Sequence, residues 1–148
     1  MIRYMRQPTK YTCGPIAILN ARKWAGQHAT LKDLKRLDHL YRVTHNKGMS
    51  IVDLEVALEF ECGIKSSCIR SSSRRVYDQL LKAGKVAIIV TSKHYFLLIG
   101  RNEDGYVTIN LRKERTQHTI KWHTLKRLLT ERLKLYPKWP CAFVLERV

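Results

Sequence analysis

The sequence predicts an α+β domain in which N-terminal helices pack on a C-terminal antiparallel sheet. Three observations predict it. Apolar residues recur at helical spacing as far as residue 83, β-branched and aromatic runs take over from residue 86, and turn residues separate those runs. Helices followed by strands, rather than alternating with them, exclude a doubly wound sheet.

The first helix spans 14–24, with Pro15 near its start, Ile16, Leu19 and the alanines at helical spacing, and Gly26 beyond its end. Cys13 therefore stands at a helix N-terminus. Thr30 and Asp33 form a capping-box signature ahead of Leu31, Leu34, Leu37 and Leu40, which fall near one helical face. Ser50 and Asp53 repeat that start ahead of Leu54, Ala57 and Leu58, and Gly63 stops the third helix. A fourth helix covers 74–83 with Gly84 as its cap. Strands are expected at 86–91, 95–100 and 106–110, the last two joined through Asn102-Glu103-Asp104-Gly105. An edge strand at 115–120, an amphipathic helix at 124–135 begun by a Thr124 cap, and a strand at 142–145 after Pro137 and Pro140 complete the order.

No linker, repeat or low-complexity stretch divides the 148 residues, so one domain spanning 1–148 is expected. That length excludes a receptor, a pump or a multidomain machine. With 45% hydrophobic residues the chain can fill one core, which argues against disorder. The longest apolar runs, 86–90 and 95–99, have strand length, so no membrane span is expected. Two charges near the N-terminus lead into no hydrophobic stretch; a secretory signal is not expected and a cytoplasmic protein is. There Cys13, Cys62, Cys68 and Cys141 would stay reduced. The net charge of +16 attracts something anionic, whether nucleic acid, an acidic protein or a membrane surface.

Gln7, Cys13-Gly14-Pro15, His94 and Asn110 together supply the parts of a cysteine hydrolase. A thiolate at Cys13 would be favoured by the helix dipole and unpaired N–H groups. The Cys13 backbone N–H and the Gln7 amide would serve the oxyanion formed on attack at a carbonyl. His94 opens a strand whose hairpin partner carries Asn110, and the base needs such an orienting group. With the turn centred on Glu103, opposed residues sum to 206, so Phe96 faces Asn110 and the Asn110 amide oxygen is expected beside the imidazole.

These residues resemble the C39 peptidases of the papain-like superfamily, known as domains that remove double-glycine leaders. Gln7-Pro8-Thr9-Lys10-Tyr11-Thr12-Cys13-Gly14-Pro15 resembles the family's Gln-to-Cys-Gly motif. Gly48-Met49-Ser50 with Leu54, Ala57 and Gly63-Ile64 is similar to its middle segment, His94 to Gly100 to its histidine strand and Val107-Thr108-Ile109-Asn110 to its last catalytic strand. The resemblance implies a papain-like, C39-type fold and catalysis by Cys13, His94, Asn110 and Gln7. It also implies a peptide or isopeptide substrate cut after small residues such as Gly-Gly. Two departures stand out: the family's usual Asp-Pro is Asn110-Leu111, and its acidic or amide residue before the cysteine is Thr12. The family's transporter and ATPase segments are absent from these residues, so bacteriocin export is not implied, and the short basic chain suggests a phage or mobile-element origin.

Other candidates read more plainly. Cys62, Cys68 and Cys141 are expected to pack, since no spacing suits zinc. His118 and His123 do not share a helical face, so no metal is expected, and a thiol hydrolase needs no cofactor. His28, His39 and His45 are expected on the surface, and Trp122 and Trp139 between the last helix and the sheet. Two other readings stay open beside the peptidase. One is a catalytically silent C39-like domain that binds a partner. The other is a nucleic-acid-binding module whose charge is the function.

Overall fold

The computed structural model describes residues 1–147. In chain order its elements are α1 (Cys13–Trp24), α2 (Leu31–Tyr41), α3 (Ile51–Ala57) running into a π-helical turn (Leu58–Cys62), β1 (Lys65–Ile69), α4 (Arg74–Lys82), β2 (Val86–Val90), β3 (Tyr95–Asn102), β4 (Gly105–Arg112), β5 (Arg115–Ile120), α5 (Trp122–Leu135) and β6 (Ala142–Glu146). The strands form one antiparallel sheet in the order β1-β6-β2-β3-β4-β5. The α+β class predicted from the order of periodicities is the observed one.

β2 explains how the layers assemble. All five of its residues are buried, and they alternate between two cores. Val86, Ile88 and Val90 join Ile16, Leu19, Leu37, Leu54 and Leu97 beneath α1, α2 and α3. Ala87 and Ile89 join Tyr77, Leu80, Phe96, Leu125 and Leu129 beneath α4 and α5. A strand buried on both faces reads as a continuous apolar run for this reason.

Helix starts follow their signals. Thr30 accepts from the Asp33 N–H at 3.3 Å while the Asp33 carboxylate accepts from the Thr30 N–H at 2.9 Å, the reciprocal capping box. Ser50 Oγ accepts from the Asp53 N–H at 3.1 Å. Four expectations need correction. α5 begins at Trp122 with Lys121 at its cap position, so Thr124 is not the cap. In α2 only Leu34 and Leu37 are buried; Leu31 and Leu40 are exposed, because leucines spaced by three drift round a helix of 3.6 residues per turn and the outer two leave the buried face. Trp122 packs against Tyr106 and Tyr77, with ring centroids 5.5 and 6.3 Å away, whereas Trp139 is exposed. Cys68 lies exposed on β1 rather than packed. β1 carries no strand signal of its own: Lys-Ser-Ser-Cys-Ile has little strand propensity and is held in the sheet by pairing with β6.

Candidate active site

Cys13 sits at the first position of α1 with 6% of its surface exposed. Gly14 follows because a Cβ there would stand 2.8 Å from Met49 Cβ and 2.9 Å from Met49 Sδ. The backbone thus approaches Met49 more closely than any other residue type permits. Tyr95 closes another side, its hydroxyl donating to the Met49 carbonyl at 2.8 Å.

His94 ends the tight turn between β2 and β3, where its carbonyl accepts from the Thr91 N–H at 2.9 Å and the Thr91 hydroxyl at 3.1 Å. Its ring stacks beside Phe96, centroids 6.3 Å apart. Nε2 lies 2.6 Å from the Asn110 main-chain oxygen. A carbonyl only accepts, so Nε2 carries the hydrogen and Nδ1 is left as the basic nitrogen. Burial holds the His94 pKa below its ordinary value of 6.5, opposed by that hydrogen bond.

Asn110 meets the imidazole with its backbone, a correction to the expected amide contact. The 206 register holds at the site end, with Leu97 opposite Ile109 and Leu98 opposite Thr108. A β-bulge between Ile109 and Arg112 then places Asn110 at φ 62°. Asn tolerates this left-handed conformation better than most residues, and bulges often re-aim groups at sites. The turn sends the carbonyl to His94 and the amide the other way: Nδ2 donates to the Met5 carbonyl at 2.7 Å and Oδ1 accepts from the Gln7 N–H at 3.2 Å. Asn20, fully buried on α1, grips the same Met5 peptide, accepting at 2.7 Å and donating at 3.0 Å. The N-terminal strap that carries Gln7 is thus pinned from both sides. Its Gln7 side chain donates to the Thr9 carbonyl at 2.6 Å, so the amide is engaged on the strap itself.

Two cavities flank the histidine. One, of about 420 Å³, is lined by both Cys13 and His94 together with Met49, Asp53, Tyr95 and Arg132. The other, of about 220 Å³, is lined by Gln7, His94 and Asn110. The structure therefore joins Cys13 to His94, and His94 to Gln7 and Asn110, with the histidine common to both groups. Burial raises the Cys13 pKa more than the N–H groups of Tyr95, Gly14 and Cys13 lower it. The helix terminus was expected to favour the thiolate; desolvation outweighs it and favours the neutral thiol, as burial favours the neutral imidazole of His94.

Tyr95, Met49 and Arg132 were not singled out for the site by sequence reasoning. Arg132 carries a legible signal, since it continues the buried stripe Leu125, Leu129 of α5 at helical spacing, an unusual position for a cation.

Among solved structures, the peptidase domain of Streptococcus ComA, a bifunctional ABC transporter of a quorum-sensing pathway, matches with TM-score 0.69 and 14% identity over 100% of each chain. A double-glycine-motif protease from an AMS/PCAT transporter, solved in complex with the leader peptide, matches with TM-score 0.68 and 12% identity. It covers 100% of this chain and 93% of that one. The fold is that of the C39 peptidase domains. No family model matches the sequence, and no curated protein does. The C39 fold thus persists where sequence identity has fallen to a level that carries only the architecture. Among the described residues no helix is long and apolar enough to cross a membrane.

Proposed function

We propose that residues 1–148 act as one cysteine peptidase domain in the cytoplasm, cleaving a peptide or isopeptide bond after small residues such as Gly-Gly. The observation that carries this reading is the shared cavity of Cys13 and His94, together with the Asn110 carbonyl that fixes the imidazole tautomer from outside that cavity's lining. His94 Nδ1 takes the thiol proton as Sγ bonds to the substrate carbonyl carbon, and the carbonyl oxygen becomes the oxyanion. The Cys13 N–H and the Gln7 amide, once released from Thr9, donate to that oxyanion. Nδ1 returns the proton to the leaving amine, and water then hydrolyses the thioester, restoring the thiol. Asn110 is a positioning residue in this scheme. The double-glycine substrate motif named for one structural neighbour supports the choice of small residues at the cut.

A second reading, a catalytically silent domain that binds a peptide, draws on the engagement of Gln7 with Thr9. Labelling with a peptide-based thiol probe, followed by mapping of the modified cysteine, tests both. Adduct at Cys13 that disappears in His94→Ala supports the peptidase. Peptide binding without adduct supports the silent domain.

A further inference from the structure

We propose that the cavity beside Cys13 holds a carboxylate of the substrate, bound by Arg132 and steered there by Lys10, Lys47 and Lys93. The proposal rests on the peptidase reading and gives its substrate a chemical class.

Arg132 is the informative residue. It is more than nine-tenths buried, with 8% of its surface exposed, and it lines the cavity. A buried guanidinium is normally paired, because taking a cation out of water without a partner is unfavourable. Here Nε donates to the Pro140 carbonyl at 3.4 Å, and the group lies over the Tyr136 ring at 4.3 Å. Neither partner is anionic, and among the described residues no carboxylate pairs with it. Most of a rigid five-donor fork is left for a ligand, and its geometry matches a carboxylate.

The rest of the cavity agrees in sign. Lys10, Lys47 and Lys93 line it with Arg132, against one acid, Asp53. The neighbouring cavity across His94 adds Arg112 and Lys113 and no acid. Surface lysines alone would indicate general steering. A buried, carboxylate-free arginine opening on the same cavity as the nucleophile indicates a subsite.

Two small reagents test it without requiring turnover. Iodoacetate carries a carboxylate beside its reactive carbon, and iodoacetamide is its neutral counterpart. The rate ratio of iodoacetate to iodoacetamide should be about tenfold higher at Cys13 than at the exposed Cys68, which reads the general field of the same molecule. Arg132→Gln and Arg132→Lys should lower the Cys13 ratio, most in the glutamine variant. Lys134→Gln removes the same charge from the exposed side of α5 and should leave the ratio unchanged. Equal ratios at Cys13 and Cys68 in the unaltered protein would overturn the subsite while leaving the nucleophile standing. Labelling of Cys68 with none at Cys13 by either reagent would overturn the peptidase reading and this inference with it. Cleavage of peptide pairs then distinguishes the carboxylate's source: loss of turnover on Glu-to-Gln exchange identifies an acidic side chain, and loss on amidation of the C-terminus identifies the terminal carboxylate.

Discussion

Asn110 divides its functions between backbone and side chain, and the division makes them separable by mutation. Asn110→Gly keeps the left-handed backbone and hence the carbonyl at His94, while Asn110→Ala strains it by about 1–2 kcal/mol. Both lose the amide that pins Met5 and Gln7. Turnover should therefore be lower in the alanine variant than in the glycine variant; equal turnover would show that the carbonyl's position is immaterial. The raised thiol pKa has its own signature. Because burial raises the thiol pKa, Cys13 alkylation by iodoacetamide should climb continuously from neutral into alkaline pH, and an acid-side plateau would reveal a preformed thiolate instead. His94 also contributes to pH-dependent stability. Its folded pKa lies below 6.5, so the unfolded chain binds the extra proton. Its stabilising contribution is complete above 6.5 and is lost as pH falls through the folded value. The fall in Tm between about pH 7 and about pH 5 should be shallower in His94→Gln than in the parent protein.

Elements enter the site through close contacts. α1 can present Cys13 only because Gly14 lets the chain approach Met49, the residue that also receives the Tyr95 hydroxyl. Gly14→Ala should destabilise the protein by about 1–3 kcal/mol and displace that wall. Adding Met49→Ala should recover part of the loss, a coupling that a double-mutant cycle on thermal unfolding measures. Additive losses would mean that the glycine is required for another reason. The α2 capping box lies outside these contacts. Thr30→Ala should cost about 1 kcal/mol of stability and leave Cys13 labelling unchanged.

Across the whole molecule, the +16 charge acts on approach. Raising salt should lower kcat/KM for an acidic peptide much more than kcat, since screening weakens encounter and not attack within the cavity. If nucleic acid is instead the natural ligand, log affinity should fall linearly with log salt, with a slope counting several phosphates, and Cys13→Ala should bind equally well. Negligible polyanion binding at low salt would eliminate that ligand. Strong binding with an unreactive Cys13 would displace the peptidase reading.

Hydrophobic periodicity alone determined the helices before residue 83 and the strands after residue 86, because burying one face leaves a repeat that tertiary contacts seldom disguise. Local cap and turn signals also placed Cys13 at a helix start and Asn110 on a strand, whereas His94, expected to open a strand, ends the turn one residue before β3. What packing decided was non-local. β1 is a strand only because β6 lies beside it. The bulge at Asn110 exchanges its amide for its carbonyl, a rotation that no alternation pattern encodes. The direction in which the Cys13 and His94 pKa values move depends on how deeply both groups are desolvated, and that follows from three-dimensional burial rather than from the helix terminus that the sequence displays.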